Sequence, residues 1–278
     1  MKTARIHIFF GAALALFAAA SSDIPEEPMR LPVIEGWIDS DGYPVVMFTS
    51  SLPPSTEGGN VAEMMIRWGK VVVSDGCDSV ILTGGPNSGY FPPFRYYSFD
   101  MKGVPGRTYT VDVEFDNLHA RAECRMPEPT TIDSIVFRGA DSDTLRTGTL
   151  YFTAPADCPA YYNLEIKEYG RRRRAYPAML GAISTTVPGA KVEVPVFRPK
   201  NELDTGLFVP QFAVGDEIEV SLCRVEKPVY DFWSAYDNDV VFGHSVFLGT
   251  SAPLPTNVQG GLGVWSARGV DKRAVTVR

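Results

Sequence analysis

The segment Gly243-His244-Ser245-Val246-Phe247 has the residue types of a serine nucleophile and an adjacent base. A hydrolase nucleophile elbow has a glycine two residues after the serine, because the chain turns sharply there from a strand into a helix. Phe247 occupies that place here, and no alternation of strands and helices surrounds it. We therefore expect no serine hydrolase chemistry. The sequence displays no acid/base pair that would indicate another reaction, so the chain is predicted not to be an enzyme.

Acidic pairs and histidines are the residues that would ligate a metal ion. Asp141 and Asp143, like Asp237 and Asp239, are two residues apart, but neither pair has the complete ligand spacing of a calcium loop. His119 falls among the outward-facing residues in the alternation of its predicted strand, which predicts a solvated side chain. We expect polar turns at the acidic pairs, and neither a metal nor a cofactor.

The segment from Gly84 to Tyr97 is suited to molecular recognition. Its large side chains, set among glycines and prolines, are Tyr90, Phe91, Phe94, Arg95, Tyr96 and Tyr97. Loops on a rigid scaffold often carry recognition, and aromatic residues and arginine contribute much of the binding energy at interfaces. Tyr90, Phe91, Phe94 and Arg95 are therefore the candidate partner-binding residues. In the alternative, Phe94, Tyr96 and Tyr97 turn inward at the start of the next strand. Tyr90 and Phe91 are then the better candidates for exposure.

Arg171 to Arg174 is the one concentrated basic segment in an acidic chain of 26 basic and 33 acidic residues. Its position after Gly170 predicts a loop, with a solvated basic turn as the simplest interpretation and contact with anionic sugars or lipid headgroups as the alternative. The net charge of −7 argues against binding of nucleic acid, which needs a concentrated positive face.

The first twenty residues have the features of a secretory signal peptide. Lys2 and Arg5 precede an apolar run from Ile6 to Ala20, and small residues stand before Ser21. We expect cleavage before Ser21 and export to the periplasm or the outer membrane. No later run reaches 18 apolar residues, so no transmembrane segment is predicted after signal removal.

Composition and one proline-rich segment predict the architecture. A chain of 278 residues with 25 glycines and 22 prolines favours many short strands and turns, which indicates an all-β fold with little helix. Met126 to Thr130 has prolines on both sides of Glu128, and proline cannot donate to a sheet ladder. This predicts a joint between two consecutive immunoglobulin- or fibronectin-like β-sandwich domains. Residues 21–30 would be a tether, residues 31–127 the first domain and residues 130–278 the second.

Local patterns predict particular elements. Asp41-Gly42 predicts a hairpin turn, and Thr108 to Phe115 alternates as a half-buried strand. The Pro105-Gly106 turn before Tyr109 looks like the tyrosine corner of such sandwiches. Val229 to Tyr236 is rich in aromatic residues without a period of two, which predicts a short helix or an irregular cover. Glycines in Asn257 to Ala267 suggest close backbone packing before a closing strand, Ala274 to Val277.

Four cysteines are candidates for disulfides in an exported chain. Cys77 and Cys124 fall in the first predicted domain, and Cys158 and Cys223 in the second, so pairing within domains is the favoured hypothesis. In the alternation of its predicted strand, Cys124 falls among the inward-facing residues. Cys223 falls among the polar residues of its strand, on the side that the loop residue Cys158 would reach. Free thiols are the alternative.

Five segments in their order and spacing resemble the DUF4249 family: Val33 to Ile38, Val72 to Gly76, Pro105 to Tyr109, Tyr230 to Trp233 and Gly260 to Trp265. The family is one of Bacteroidota envelope proteins of uncharacterised function, similar to outer-membrane lipoproteins often encoded beside TonB-dependent receptors. The resemblance implies an accessory or binding component of nutrient uptake with such a receptor as its partner. A structural or adhesive surface protein is the alternative. Lipoproteins have a cysteine at the end of the signal, whereas the first cysteine here is Cys77.

Overall fold

The computed structural model describes residues 30–51, 64–139, 143–172, 174–200, 208–242 and 254–278. Its elements in chain order are β1 (Pro32–Asp39), β2 (Val45–Ser50), β3 (Lys70–Ser74), β4 (Ser79–Ile81), β5 (Thr83–Pro86), β6 (Phe94–Tyr97), β7 (Thr108–Phe115), β8 (Leu118–Arg125), β9 (Ile132–Gly139), β10 (Leu145–Thr153), β11 (Ala160–Glu168), β12 (Tyr176–Thr185), β13 (Lys191–Val196), β14 (Phe212–Ala213), β15 (Glu217–Val225), α1 (Lys227–Phe242), β16 (Val258–Gln259) and β17 (Leu262–Thr276). The prediction of an all-β fold with little helix is confirmed.

An eight-stranded sheet with the order β12-β11-β15-β17-β1-β2-β6-β5 is the largest element of the fold. Strand β17 lies at its centre. The first part of β17 pairs in parallel with β1, from Val33 opposite Leu262 to Asp39 opposite Arg268. Its second part pairs antiparallel with β15, from Gly269 to Thr276. A five-stranded sheet (β16-β8-β7-β3-β4) and a four-stranded sheet (β13-β10-β14, with β9 on β10) complete the described strands.

Two hydrophobic cores form between the eight-stranded sheet and the two smaller sheets. Because side chains alternate across a strand, β1 turns Ile34 and Ile38 to one side and its odd-numbered residues to the other. The first core combines those two side chains with Trp265 and with residues of β3, β7 and β8. The second core combines β11 and β15 with β10 and β13. The same strand alternation leaves the opposite side of β1, β17, β15 and β11 with polar side chains.

The boundary predicted at residues 127–130 falls between the two cores but not between two separate sheets. Residues near the C-terminus, predicted to belong to the second domain, return to the first core. Val258 pairs with Ala122 on β8, and the indole Nε1 of the fully buried Trp265 donates a hydrogen bond to the backbone oxygen of Tyr109 at 2.9 Å. A Cβ on Gly269 would lie 2.3 Å from the backbone oxygen of Pro127, so the proline joint runs directly against β17. Strand β17 therefore contributes side chains to both cores, and the division into two sandwich domains stays a prediction.

Several local predictions correspond to observed elements. The tyrosine corner is present, since the backbone N–H of Val104 donates to the hydroxyl of the buried Tyr109 at 2.8 Å. The aromatic segment forms helix α1, which is longer than predicted. The closing strand is also longer, because the glycine-dense approach from Leu262 onward is part of β17. Gly263 has a φ of 99°, and a Cβ there would lie 1.9 Å from the backbone oxygen of Ile34. Within the described ranges, no helix has the length and apolar character needed to cross a bilayer.

All four cysteines are free thiols, so neither predicted disulfide is present. Cys124 and Cys223 are both buried in the first core. Burial raises the pKa of the Cys124 thiol to about 12 and also raises the pKa of Cys223. Cys77 is exposed in the turn between β3 and β4, and Cys158 remains in a loop 3.4 Å from a guanidinium nitrogen of Arg224. Cys223 has the parity of Glu219 and Ser221, as predicted, but it is buried because both sides of β15 are covered around that residue.

Candidate functional site

The polar side of the eight-stranded sheet contains a cavity of about 220 Å³, which we call the polar cavity. Alternate residues of four neighbouring strands point into it, which follows from the pairing of β1 with β17, of β17 with β15 and of β15 with β11. Its ionisable lining residues are Glu35, Asp39, Glu165, Lys167, Arg174, Glu219, Arg268 and Lys272. Four cations and four carboxylates thus meet in one small space.

Arg268 organises the carboxylates at the base of the polar cavity. Its side chain is 6% exposed; its Nε lies 2.6 Å from a carboxylate oxygen of Asp39 and its Nη1 lies 2.6 Å from one of Glu165. Lys272 lies 3.3 Å from Asp39. Burial alone would raise the pKa of Asp39, but the charges of Arg268 and Lys272 outweigh burial and lower it. These ion pairs therefore hold the carboxyl group ionised although it is buried.

Five side chains above this network form the aromatic–arginine cluster: Trp37, Tyr90, Arg95, Arg174 and Tyr176. The guanidinium carbon of Arg174 lies 4.6 Å from the ring centroid of Tyr90, 4.5 Å from that of Tyr176 and 5.9 Å from that of Trp37. Trp37 and Tyr90 stack with their centroids 6.2 Å apart, and Arg95 donates to the hydroxyl of Tyr90 at 3.1 Å. Cation–π contacts at these distances stabilise the guanidinium charge, because the faces of aromatic rings are electrostatically negative.

The charge of Arg174 is only partly matched by hydrogen-bond acceptors. Its side chain is 16% exposed, and its Nη1 lies 3.4 Å from a carboxylate oxygen of Glu35. The buried Nε has no hydrogen-bond partner. Burial alone would lower the pKa of Arg174, but the charge of Glu35 and a hydrogen bond with Tyr176 raise it. The cluster therefore holds a permanent cation with an unused donor.

A second cavity of about 560 Å³, the aromatic cavity, adjoins the polar cavity at Arg174. The rings that line it are Tyr90, Phe91, Tyr176, Phe232, Trp233 and Tyr236. Both cavities have Glu35, Tyr90, Arg174, Pro177 and Trp233 in their walls, so they adjoin at these residues, and we call the two together the groove. Apolar walls with a few convergent polar groups are typical of ligand-binding pockets.

Helix α1 supplies one wall of the groove and is held in place by Asp237. The buried carboxylate accepts hydrogen bonds from the backbone N–H groups of Leu180, Gly181 and Ala182, the last at 2.9 Å. These amides lie where the pairing of β11 with β12 changes register, so Asp237 connects the helix to an irregular part of the sheet. Trp233, one helical turn earlier, is thereby fixed at the junction of the two cavities.

The stability of the protein is expected to depend on pH through Asp237. Burial raises the pKa of this carboxyl group to about 6, although its three backbone hydrogen bonds oppose the rise. A raised carboxyl pKa gives stability that is present below the unfolded-state pKa and is lost as the pH rises through the folded-state pKa. Between about pH 4 and pH 7, we expect the wild type to lose roughly 2–3 kcal/mol relative to the Asp237→Asn variant. Urea denaturation of both proteins across this range measures the difference, and a pH-independent difference would contradict the assignment.

The four predicted partner-binding residues differ in their exposure and in what they contact. Tyr90 and Phe91 line the aromatic cavity, but only Phe91 is exposed, at 52% of its surface, because Tyr90 is packed in the cluster. Arg95 supports Tyr90 from the side. Phe94 packs edge-on against the buried Tyr96 with their centroids 5.5 Å apart, as in the alternative that places these residues inward. A role of these residues in partner binding stays a prediction.

The predicted loop at Arg171 to Arg174 is present, but the prediction of a solvated basic turn was wrong for two of its residues. Arg172 lies 3.0 Å from the carboxylate of Glu168, and Arg174 is in the groove. Arg171 is half-exposed, and Arg173 lies outside the described residues. Sequence reasoning missed Glu35, Trp37, Trp233 and Arg268. The alternation of Glu35, Trp37 and Asp39 along β1 was the available signal for a polar sheet face.

The remaining candidates add no second site. Residues 243–247 and Asp141 lie outside the described residues, and Asp143 and Asp239 are exposed. His119 is exposed as predicted, with its Nε2 3.3 Å from a carboxylate oxygen of Asp112. Together with Glu114 these two side chains bring three potential ligand atoms within 4.8 Å of one another. Exposed polar groups on paired strands commonly come this close, so the trio is no evidence for a metal site.

Comparison with known proteins identifies a family. The sequence model of the family described as "Domain of unknown function (DUF4249)" matches residues 20–274. No curated protein matches the chain. The matched range contains every residue of the groove.

Proposed function

The chain belongs to the DUF4249 family, and from this premise we propose that it is an exported, non-catalytic binding protein of the cell envelope that serves a TonB-dependent nutrient-uptake system. The groove is the observation that carries the proposal, because it combines six aromatic rings with a few fixed charges in a concave space. The features of the signal sequence support export, and the resemblance to envelope proteins encoded beside TonB-dependent receptors supports the uptake role.

The chemistry of the groove favours binding over catalysis. A carboxyl group that serves as a catalytic acid or base must be able to exchange a proton near the working pH. Asp39 and Glu165 are instead engaged by Arg268, and Glu35 is engaged by Arg174. The lowered pKa of Asp39 supports the same interpretation, because that group stays ionised at neutral pH.

Copurification from envelope membranes tests the proposal. A tagged chain is expressed in its native host, recovered from detergent-solubilised envelopes, and its partners are identified by mass spectrometry. A TonB-dependent receptor should be enriched over an unrelated exported protein carrying the same tag. Recovery of self-associated chains without a receptor would contradict the uptake role and favour a structural or adhesive one.

Phe91 provides a variant for the same experiment. Its ring is 52% exposed at the rim of the aromatic cavity, so Phe91→Ala should leave the protein folded while removing a contact group. Phe99→Ala is the matched control, since that ring is 67% exposed and does not line the cavity. Loss of receptor recovery with the first variant alone would place the partner at the groove rim.

A further inference from the structure

We propose that the groove binds a neutral sugar, with hydroxyl groups in the polar cavity and the C–H face of one sugar ring against Trp233. This inference rests on the proposed binding function and names the class of ligand for the same site.

The charged groups of the polar cavity are matched to one another. The described ionisable residues of its walls are four cations and four carboxylates, which gives no net charge. Ion pairs join Arg268 to Asp39 and Glu165, Lys272 to Asp39, and Arg174 to Glu35, whereas Lys167 and Glu219 both contact Tyr169. A charged ligand that separated one of the buried pairs would bind at a penalty, because it would leave a buried charge without its partner. A neutral ligand leaves every pair in place.

The ion pairs leave hydrogen-bonding capacity in the cavity. An ammonium has three donors and a carboxylate oxygen has more than one lone pair. Lys272 contacts one oxygen of Asp39, and Arg174 contacts one oxygen of Glu35. The side chains of Lys272 and Glu35 are 48% and 39% exposed, so a ligand can reach them. Because a sugar hydroxyl both donates and accepts, it can bridge a cation and a neighbouring carboxylate without disturbing the charge of either.

Two buried groups of the groove have hydrogen bonds left to make. Ser266 is 3% exposed, lines the polar cavity opposite Trp37 in the pairing of β17 with β1, and has no hydrogen-bond partner for its hydroxyl. The buried Nε of Arg174 has no hydrogen-bond partner either. Such groups are rare in folded proteins, which points to a polar occupant of the cavity. A ligand with several hydroxyl groups can accept from the guanidinium and exchange a hydrogen bond with the serine.

The apolar part of the ligand follows from Trp233, which lines both cavities. Phe232 and Tyr236 stand nearly perpendicular to its ring, at centroid distances of 5.1 Å and 5.6 Å, and hold its orientation. The C–H groups on one face of a sugar ring have a slight positive charge, so they pack favourably on the negative face of an aromatic ring. A rigid ring beside donors and acceptors matches a ligand with an apolar face and polar edges.

Other ligand classes fit less well. An organic anion or cation would compete with the existing partners of Arg174 and Glu35. A purely apolar ligand would fill the aromatic cavity but would leave the hydroxyl of Ser266 unsatisfied. Charged sugars therefore serve as the comparison in the experiment.

Isothermal titration of the purified chain beginning at Ser21 with maltose, cellobiose, lactose and mannobiose tests the inference. At least one of these neutral disaccharides should bind with a Kd below about 1 mM. The neutral monosaccharide at the non-reducing end of the best binder should displace it about 10-fold more effectively than the uronic acid or the amino sugar with the same ring. A Kd above about 1 mM for all four disaccharides, or displacement that is as effective by the charged sugars, would overturn the inference.

Two variants test the assigned contacts. Trp233→Leu removes the aromatic face and should weaken binding of the best disaccharide about 10-fold or more. Ser266→Ala should weaken it about 3- to 10-fold and leave the melting temperature nearly unchanged, because the hydroxyl has no partner within the protein to lose.

Trp68→Leu is the matched control, since that side chain is 88% exposed and does not line either cavity. Its affinity should stay within about 2-fold of the wild-type value, and thermal melts verify that all three variants are folded. Unchanged affinity in both folded groove variants would overturn the inference. Copurification of a receptor does not depend on any of these results, so the two proposals fail separately.

Discussion

Replacing Trp265 by alanine is expected to lower the free energy of unfolding by about 3–5 kcal/mol, the range observed when a large aromatic side chain is removed from a core. The indole is fully buried in the first core, and its Nε1 donates to the backbone oxygen of Tyr109. It also packs against Gly36, where a Cβ would lie 3.0 Å from the ring. The variant therefore loses apolar contacts with β1 and a hydrogen bond to β7 at once.

Urea denaturation at neutral pH measures this difference. Trp68→Ala is the control, because Trp68 is 88% exposed and its removal should change stability by no more than about 0.5 kcal/mol. Similar unfolding midpoints for the two variants would show that the C-terminal strand is not part of the first core. A fall in stability limited to Trp265→Ala would show that residues from the far end of the chain complete that core.

The position of Trp265 also shows which part of the fold local sequence patterns could not predict. Local patterns correctly indicated strands and the tyrosine corner of Tyr109, because each depends on residues close in sequence. The parallel pairing of Val33 with Leu262 joins residues more than two hundred positions apart. Local periodicity cannot predict a pairing between such distant residues. The sequence therefore placed β17 in the second predicted domain alone, although it contributes to both cores.

The groove was partly predictable for the same reason. The aromatic segment around Tyr90 and the arginines near Arg174 stood out by composition, and each was assigned to a loop. Their meeting depends on the eight-stranded sheet, which places the β11–β12 turn beside the segment before β6. Burial of Arg174 could not be read from a run of arginines, because such runs usually face solvent.

Replacing Arg268 by methionine is expected to lower the free energy of unfolding at neutral pH by about 3–5 kcal/mol, because it leaves buried carboxylates without their partner. Arg268 connects Asp39 on β1 with Glu165 on β11, and only Asp39 retains a second cation, Lys272. Methionine keeps much of the volume of the side chain, so the lost charge dominates the effect. Arg273→Met is the matched control on the same strand, because that guanidinium is 50% exposed and its ion pair with Asp271 should contribute at most about 1 kcal/mol.

The pH dependence of this difference separates charge from packing. In the wild type the pKa of Asp39 lies below its ordinary value of 3.8, so the stability from this group is present above that pH and is lost as the pH falls through the folded-state pKa. In the Arg268→Met variant Asp39 keeps only Lys272 as a cationic partner, so it accepts a proton more readily, and protonation removes its buried charge. We therefore expect the stability difference to be largest near neutral pH and to narrow as the pH falls toward about 3. A difference that stayed constant across this range would mean that the methionine disturbs packing, and that the ion pairs of Arg268 do not stabilise the base of the groove.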